Sequence, residues 1–359
     1  MKKILTLLIM TLVLPIMVNA ENYKVIDHYI DSEIEIGGAL NVKELVIIEG
    51  TTDFLSRKLN YYSFGDKAWD NKTVDLNNGT IYNGQSISVI KVSAFDVSDK
   101  DEFSINSLDT KITKEFKELN LDEPQDNSYT YQDNEDGTGN LKIFYPVKNK
   151  KVAFYFQYAV TNVVVKHNDI KELNYTFKNL KYNAKNTYLR VVLPYPTKDE
   201  LYHMWMHGNQ SGVLQELTYE NGNKAGAYVY FPTIKEEINV RITLPQEHVG
   251  VDVFLHKSNV DALDEIIKIE KNRSLETNKS KKMKNITKYV LWILSGAYVL
   301  CTVLLYFFFD KLIYIFYSIF GLLLILVNLL FHFNYWYIYL VILLPIILGI
   351  IKRNKIFVK

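Results

Sequence analysis

The chain has 359 residues, 48% of them hydrophobic, with 41 Lys or Arg against 40 Asp or Glu. That balance conceals an asymmetry, because residues 21–270 hold 27 basic and 38 acidic side chains, a net of −11, and the segments after them are basic. An acidic domain lacks the phosphate-neutralising surface that nucleic-acid binding requires, and the one cysteine, Cys301, excludes a disulfide within it.

Residues 1–20, MKKILTLLIMTLVLPIMVNA, read as a signal peptide: Lys2 and Lys3 start it, Ile4 to Leu14 form its apolar run, and Val18-Asn19-Ala20 suit cleavage before Glu21. The alternative is an uncleaved anchor, for which that run falls short of the ~20 residues a spanning helix needs. Either version places the following domain outside the cytoplasm. There the apolar signal has period two. Ile26, His28, Ile30, Ser32, Ile34 and Ile36 share one face of a strand, Gly37-Gly38 turns, and Leu40, Val42, Val46 and Ile48 line the return, which predicts a β-hairpin.

Leu108 to Asn120 places Ile112, Phe116 and Leu119 at helical spacing and predicts a helix packed across a sheet. The polar stretch Pro124 to Gly139 divides the region into candidate lobes, 21–125 and 129–255. Further strands are expected in SISVIKVSAF, NLKIFYPV, KVAFYFQYAVTNVVVK, NTYLRVVLPYP, GAYVYFP and EINVRITLP. Asn78-Gly79, Asn83-Gly84, Asp136-Gly137 and Asn221-Gly222 supply tight turns. The fold class is therefore mainly β: an exported β-sandwich-like domain over 21–255, as one or two lobes, followed by a C-terminal α-helical transmembrane anchor.

A helix is predicted at Asn259 to Lys271, with Val260, Leu263, Ile266 and Ile267 on one face, opening a basic stalk over 256–288. Tyr289 to Ile351 is almost unbroken apolar sequence. Asp310-Lys311 and the aromatic, polar stretch Phe331 to Trp336 divide it into spans at 289–309, 312–332 and 335–351, with two spans as the alternative. Three crossings put the tail 352–359, with Lys352, Arg353, Lys355 and Lys359, in the cytoplasm and make this a multi-pass protein of the cell membrane. The lysine-rich stalk opposes that orientation, but long exported domains translocate largely regardless of charge. No Asp, Glu, Lys or Arg lies within a proposed span, which argues against a pump or carrier.

Motifs that carry chemistry are sparse. His203 and His207 point the same way on a strand or a helix, but the glutamate of HExxH is missing, so packing is favoured over a metal site. Asp133, Glu135 and Asp136 before Gly137 are out of register with a calcium loop and fit a hairpin turn. GxSxG, P-loop and dinucleotide fingerprints are absent from the sequence, and no cofactor or metal is expected.

GGALNVKELVIIEG followed by Leu55-Ser56-Arg57 resembles the opening of the YciQ-like predicted membrane proteins, the family with domain of unknown function 2207, with Val42, Glu44 and Arg57 in the family's places. FYFQYAVTNVVVKHNDIKELNYTF is similar to the family's later strand at Tyr158, Asp169, Glu172, Leu173 and Tyr175. VVLPYP, Met206-His207-Gly208 and VRITLP follow in order. The resemblance implies an exported β domain on a membrane anchor and supplies no activity.

The binding or structural candidates are therefore Glu44, Arg57, Asp169, Glu172 and His207, and no catalytic residue is assigned. Two functional classes fit. The favoured one is a noncatalytic binding or assembly module of the cell envelope, in contact with membrane lipids and with another envelope protein or a wall polymer as partner. The other is a membrane-tethered hydrolase using Asp169 and Glu172, which a strand would point to opposite sides. A buried Glu44–Arg57 ion pair is favoured over catalysis for those two residues.

Overall fold

The computed structural model describes residues 22–65, 75–120, 125–177, 184–197, 200–208, 212–233, 237–249 and 256–308. The expected signal peptide, the spans at 312–332 and 335–351 and the tail lie outside these residues. The chain forms two compact units, Met1–Glu270 and Lys271–Lys359.

Strands dominate the first unit. They are β1 (Asn22–Ile34), β2 (Leu40–Asn60), β3 (Ile87–Asp96), β4 (Lys117–Glu118), β5 (Ser128–Asp133), β6 (Thr138–Val160) and β7 (Val164–Lys166). There follow β8 (Lys171–Phe177), β9 (Ala184–Thr197), β10 (His203–His207), β11 (Val213–Thr218), β12 (Lys224–Phe231), β13 (Ile238–Leu244) and β14 (His256–Lys257). The helix α1 spans Leu263–Phe308. The larger sheet runs β11-β12-β9-β1-β2-β6-β5-β4, with β3 also paired to β6, and the smaller runs β10-β13-β8-β7-β14. Both sheets are open.

The hairpin of β1 and β2 forms as the alternation predicts, with Ile30 opposite Glu44 and Ser32 opposite Val42. Its turn closes through Glu35 N–H donating to Ala39 O at 2.8 Å, and Gly38 supplies the required positive φ of 77°. A bulge between Val25 and Asp27 shifts the pattern by one residue. Val25 therefore shares the core with His28 and Ile30, whereas Ile26 packs with the opposite face.

Two expectations are corrected. Leu108 to Asn120 is not a helix but a turn followed by extended chain. Phe116 N–H donates to Val92 O at 2.8 Å and Leu119 N–H to Tyr129 O at 2.9 Å, so the backbone pairs with neighbouring strands. Leu108 still reaches Leu45, Ile47 and Tyr155. A helix this short is marginal alone, and tertiary pairing overrides its spacing. The stretch 124–139 does not separate two lobes either, because β6 pairs with β2 along its length and β9 lies parallel to β1. Strands from both halves interleave in one sheet.

Side chains of both sheets enter one apolar core, Val42, Val46, Phe154 and Phe156 from the larger and Leu173, Tyr175, Val240 and Ile242 from the smaller. Every residue of β8 is buried, which requires cover on its second face. That cover comes from Leu76, from Ala262 and from the start of α1, where Ile266 and Ile269 pack with Ile170 and Trp205. The helix predicted to begin at Asn259 thus begins at Leu263 and continues beyond Lys271. In the second unit α1 exposes Ile286, Tyr289, Val290, Ile293 and Leu300. Among the described residues no helix is long and apolar enough to cross a membrane, and the expected span 289–309 is described only to Phe308.

Candidate functional site

Alternation places a carboxylate inside the core. Glu44 follows Val42 and precedes Val46 on the inward face of β2, and it is fully buried. Arg57, further along the same strand, donates from Nε to Oε2 at 3.2 Å and from Nη2 to Oε1 at 3.1 Å. His28 Nε2 lies 2.7 Å from Oε2, and the Tyr158 hydroxyl donates to Oε1 at 2.8 Å. Burial pushes the Glu44 carboxyl up, but Arg57 and His28 outweigh it and hold the group at about 2. Burial likewise pushes His28 below its ordinary 6.5, against the pull of Glu44. The cluster is thus a carboxylate, a guanidinium and a neutral imidazole whose Nε2 carries the proton. Arg57 Nη1 is buried with no hydrogen-bond partner among the described residues.

A second carboxylate lies on the far face of the smaller sheet. Arg241 Nε donates to Glu172 Oε1 at 2.6 Å, Thr80 Oγ1 donates to the same oxygen at 3.0 Å, and His167 Nε2 lies 2.9 Å from Oε2. Burial raises the Glu172 carboxyl, and Arg241, His167 and Thr80 bring it below the usual range. Arg241 also donates from Nη1 to Glu270 Oε1 at 3.0 Å and from Nη2 to Leu76 O at 2.6 Å. Glu270 belongs to α1, and its second oxygen lies 2.5 Å from His207 Nε2. Burial pushes its carboxyl up; His207 and Arg241 bring it down further.

Asp169 completes this junction. Its two carboxylate oxygens accept Ala262 N–H at 2.8 Å and Leu263 N–H at 2.9 Å, capping the helix start. An anionic cap there also meets the positive end of the helix dipole. Asp169, Glu172 and His207 therefore share the surface on which the first turns of α1 pack, and Glu44 with Arg57 forms a separate cluster between the sheets. Asp169 and Glu172 do not form an acid–base pair, because each is held by its own donors. His203 stacks on Trp205 with ring centroids 5.5 Å apart and does not join His207 on Glu270. Asp133 and Asp136 accept backbone N–H groups in the turn between β5 and β6. Among the described residues, no three His, Cys, Asp or Glu side chains are grouped to hold a metal ion.

One constellation has the order of a nucleophile relay. Ser258 Oγ lies 2.5 Å from His167 Nδ1, and His167 Nε2 faces Glu172. A carboxylate that orients a histidine beside a serine is the arrangement that activates a hydroxyl. Here all three groups are buried, and Glu172 is shared with Arg241 and Thr80. The geometry therefore serves as a hydrogen-bonded plug, with both oxygens of the carboxylate engaged.

Residues 61–236 match the model described as "Predicted membrane protein (DUF2207) N-terminal domain". Over this stretch the chain is similar to the N-terminal domain of that family, the one its sequence motifs resemble. No curated protein matches it. Among solved structures, 63% of the chain is similar to 41% of a proposed protease from Parabacteroides distasonis, at TM-score 0.34 and 8% identity. A two-domain M1 zinc metallopeptidase mutant bound to L-tryptophan gives TM-score 0.27 at 7% identity, over 62% of this chain and 43% of that one. An M1 zinc metallopeptidase mutant from Deinococcus radiodurans gives 0.26 at 6%, over 62% and 42%. The chain spans less than half the length of each, and likeness at this level transfers neither fold nor activity.

The DUF2207 match encloses Thr80, His167, Asp169, Glu172 and His207, whereas Glu44, Arg57, Arg241 and Glu270 lie outside it. Sequence reasoning missed His28, His167, Arg241, Ser258 and Glu270. One of them was visible as a polar residue in apolar alternation, His28 between Ile26 and Ile30, and a polar group on an inward strand position demands a partner. Arg241 reads as an ordinary outward residue between the core-facing Val240 and Ile242, and only the cover on that second face buries it.

Proposed function

We propose that this protein is a membrane-anchored module of the cell envelope, its sandwich-like β domain outside the cytoplasm, that binds a partner without turning it over. One observation carries the reading: Glu44, Glu172, Glu270 and Asp169 are each engaged by two or more donors inside the protein. They are arranged to hold the fold and the start of α1, which leads in sequence toward the apolar segment. The family description as a predicted membrane protein supports the anchor, as do the apolar residues 289–351.

The second reading, a tethered hydrolase, has the Ser258–His167–Glu172 relay in its favour and the burial of all three groups against it. Labelling in intact cells tests the placement of the favoured one. A full-length Gln215→Cys variant should react with a membrane-impermeant maleimide in intact cells and stay with the membrane after an alkaline wash. Labelling that requires lysis, or release by the wash, would sink it.

A further inference from the structure

The outward face of the larger sheet carries an ordered array of tyrosines. Cross-strand register sets Tyr29 of β1 beside Tyr188 of β9, and Tyr188 beside Tyr230 of β12. The first two rings stack at 4.6 Å and 10°, and the next pair lies 5.0 Å apart at 30°. Two residues along, the register aligns Asp31, Arg190, Tyr228 and Gln215. Side chains two apart on a strand share a face, so both rows line one surface.

The segment Phe103 to Asn106 rises beside these rows and closes a groove of about 400 Å³. That volume lies in the range of small-ligand sites. A neighbouring cleft of about 370 Å³ shares Tyr29 and Phe103 with it. The ring stack gives a stiff wall that loses little freedom on binding, while Tyr228 meets no other aromatic ring among the described residues.

Neighbouring side chains engage most of the charges around the groove. Arg190 donates to both oxygens of Asp31 at 2.7 Å, and Asn186 donates to Asp27 at 2.8 Å. Lys151 neutralises Asp99, and Lys111 neutralises Asp101. Arg190 is the one charged residue lining the groove itself, and Asp31 already holds it, so neither a cation nor an anion finds an unpaired counter-charge there. What stays available is neutral: phenol hydroxyls, the exposed amide of Gln215 and ring surface. Sugars match that offer, because a pyranose presents an apolar C–H face and a rim of uncharged hydroxyls.

We propose that this groove binds a neutral glycan, a segment of polysaccharide lying against Tyr228 with its hydroxyls bonded by Gln215 and the tyrosine hydroxyls. The proposal rests on the binding-module reading and names its partner class. The full chain in phosphatidylcholine nanodiscs, applied to an array of neutral and acidic oligosaccharides, tests it. Retention on neutral glycans is expected, about tenfold weaker in Tyr228→Ala. It should also weaken in Gln215→Ala, an exposed position that leaves folding intact, and persist in Tyr195→Ala, an exposed tyrosine outside the groove.

No retention by the folded chain, retention on acidic glycans alone, or indifference to both groove variants overturns the assignment. So does preferential capture of a cationic peptide. A photoreactive residue at position 215 in intact cells separates the two levels: a protein adduct without glycan binding leaves the module standing, and no adduct from any surface position removes both.

Discussion

Glu44 and Glu172 lie in different sheets, yet each carboxylate is held by a histidine Nε2, an arginine Nε and a hydroxyl. For Glu44 the donors are His28, Arg57 and Tyr158; for Glu172 they are His167, Arg241 and Thr80. The first set ties strands of one sheet together within the shared core. The second joins the opposite face of the smaller sheet to the loop bearing Thr80, and through Arg241 to α1. A buried ion is tolerated only when its remaining lone pairs are satisfied, which is why both sites carry three kinds of donor.

Removing one member of the first cluster leaves a buried charge without its counter-ion. Glu44→Ala should lower stability by about 3–5 kcal/mol through the stranded Arg57. Replacing both residues, Glu44→Leu with Arg57→Met, should restore much of that loss. Denaturant unfolding of the three variants checks this, and a double variant no better than the single would show that the pair is not what matters.

The same cluster sets an acid response. His28 titrates below its ordinary 6.5 in the folded chain, so the unfolded chain binds a proton that the native one refuses, and stability falls as pH drops below 6.5. Glu44, depressed from 4.5 to about 2, contributes stability that is fully present above 4.5 and is lost as pH falls through 2. Melting temperature measured against pH should therefore decline in two stages. In His28→Gln the upper stage should flatten while the lower one persists.

The start of α1 depends on Asp169. Asp169→Ala should cost about 1 kcal/mol by leaving two helix-start N–H groups without an acceptor, and Asp169→Asn should cost less. Hydrogen exchange at Ala262 and Leu263 reads this directly: faster exchange in the alanine variant is expected, and unchanged protection would contradict the cap.

Ser258→Ala distinguishes a plug from a nucleophile. Loss of the hydroxyl leaves His167 Nδ1 buried without its partner, so a drop of about 1–3 kcal/mol is expected, with no turnover to lose. A hydrolytic activity in the wild-type chain that vanishes in a variant of unchanged stability would favour the tethered hydrolase.

Gly226 holds the register of β12 against β9, and with it the tyrosine rows. Its φ of +140° and the Val191 carbonyl against its Cα leave no room for a Cβ. Gly226→Ala should cost about 1–3 kcal/mol and loosen the β9–β12 pairing. Tyrosine near-ultraviolet circular dichroism reports it.

Much of the β architecture was legible because period two is a property of the strand itself. The hairpin around Gly38 and the helix from near Asn259 could be read from neighbouring residues, whereas the pair Glu44 and Arg57 came from the family resemblance. What could not be read depends on residues distant in sequence. Leu108 to Asn120 has helical spacing but forms extended chain because β3 and β5 offer its backbone partners. Asp169 and Glu172 looked like two carboxylates in one motif, and only the packing of Ala262 and Arg241 assigns them separate tasks. His207 was noticed for its spacing to His203, whereas its partner is Glu270, on an element 63 residues away.

Photocrosslinking in intact cells, from photoreactive residues placed one at a time across the surface of the β domain, decides whether the protein is a binding module. Reproducible adducts confined to the face that bears Tyr228 and Gln215 are expected. An exported, folded domain that yields no adduct from any position would contradict that role.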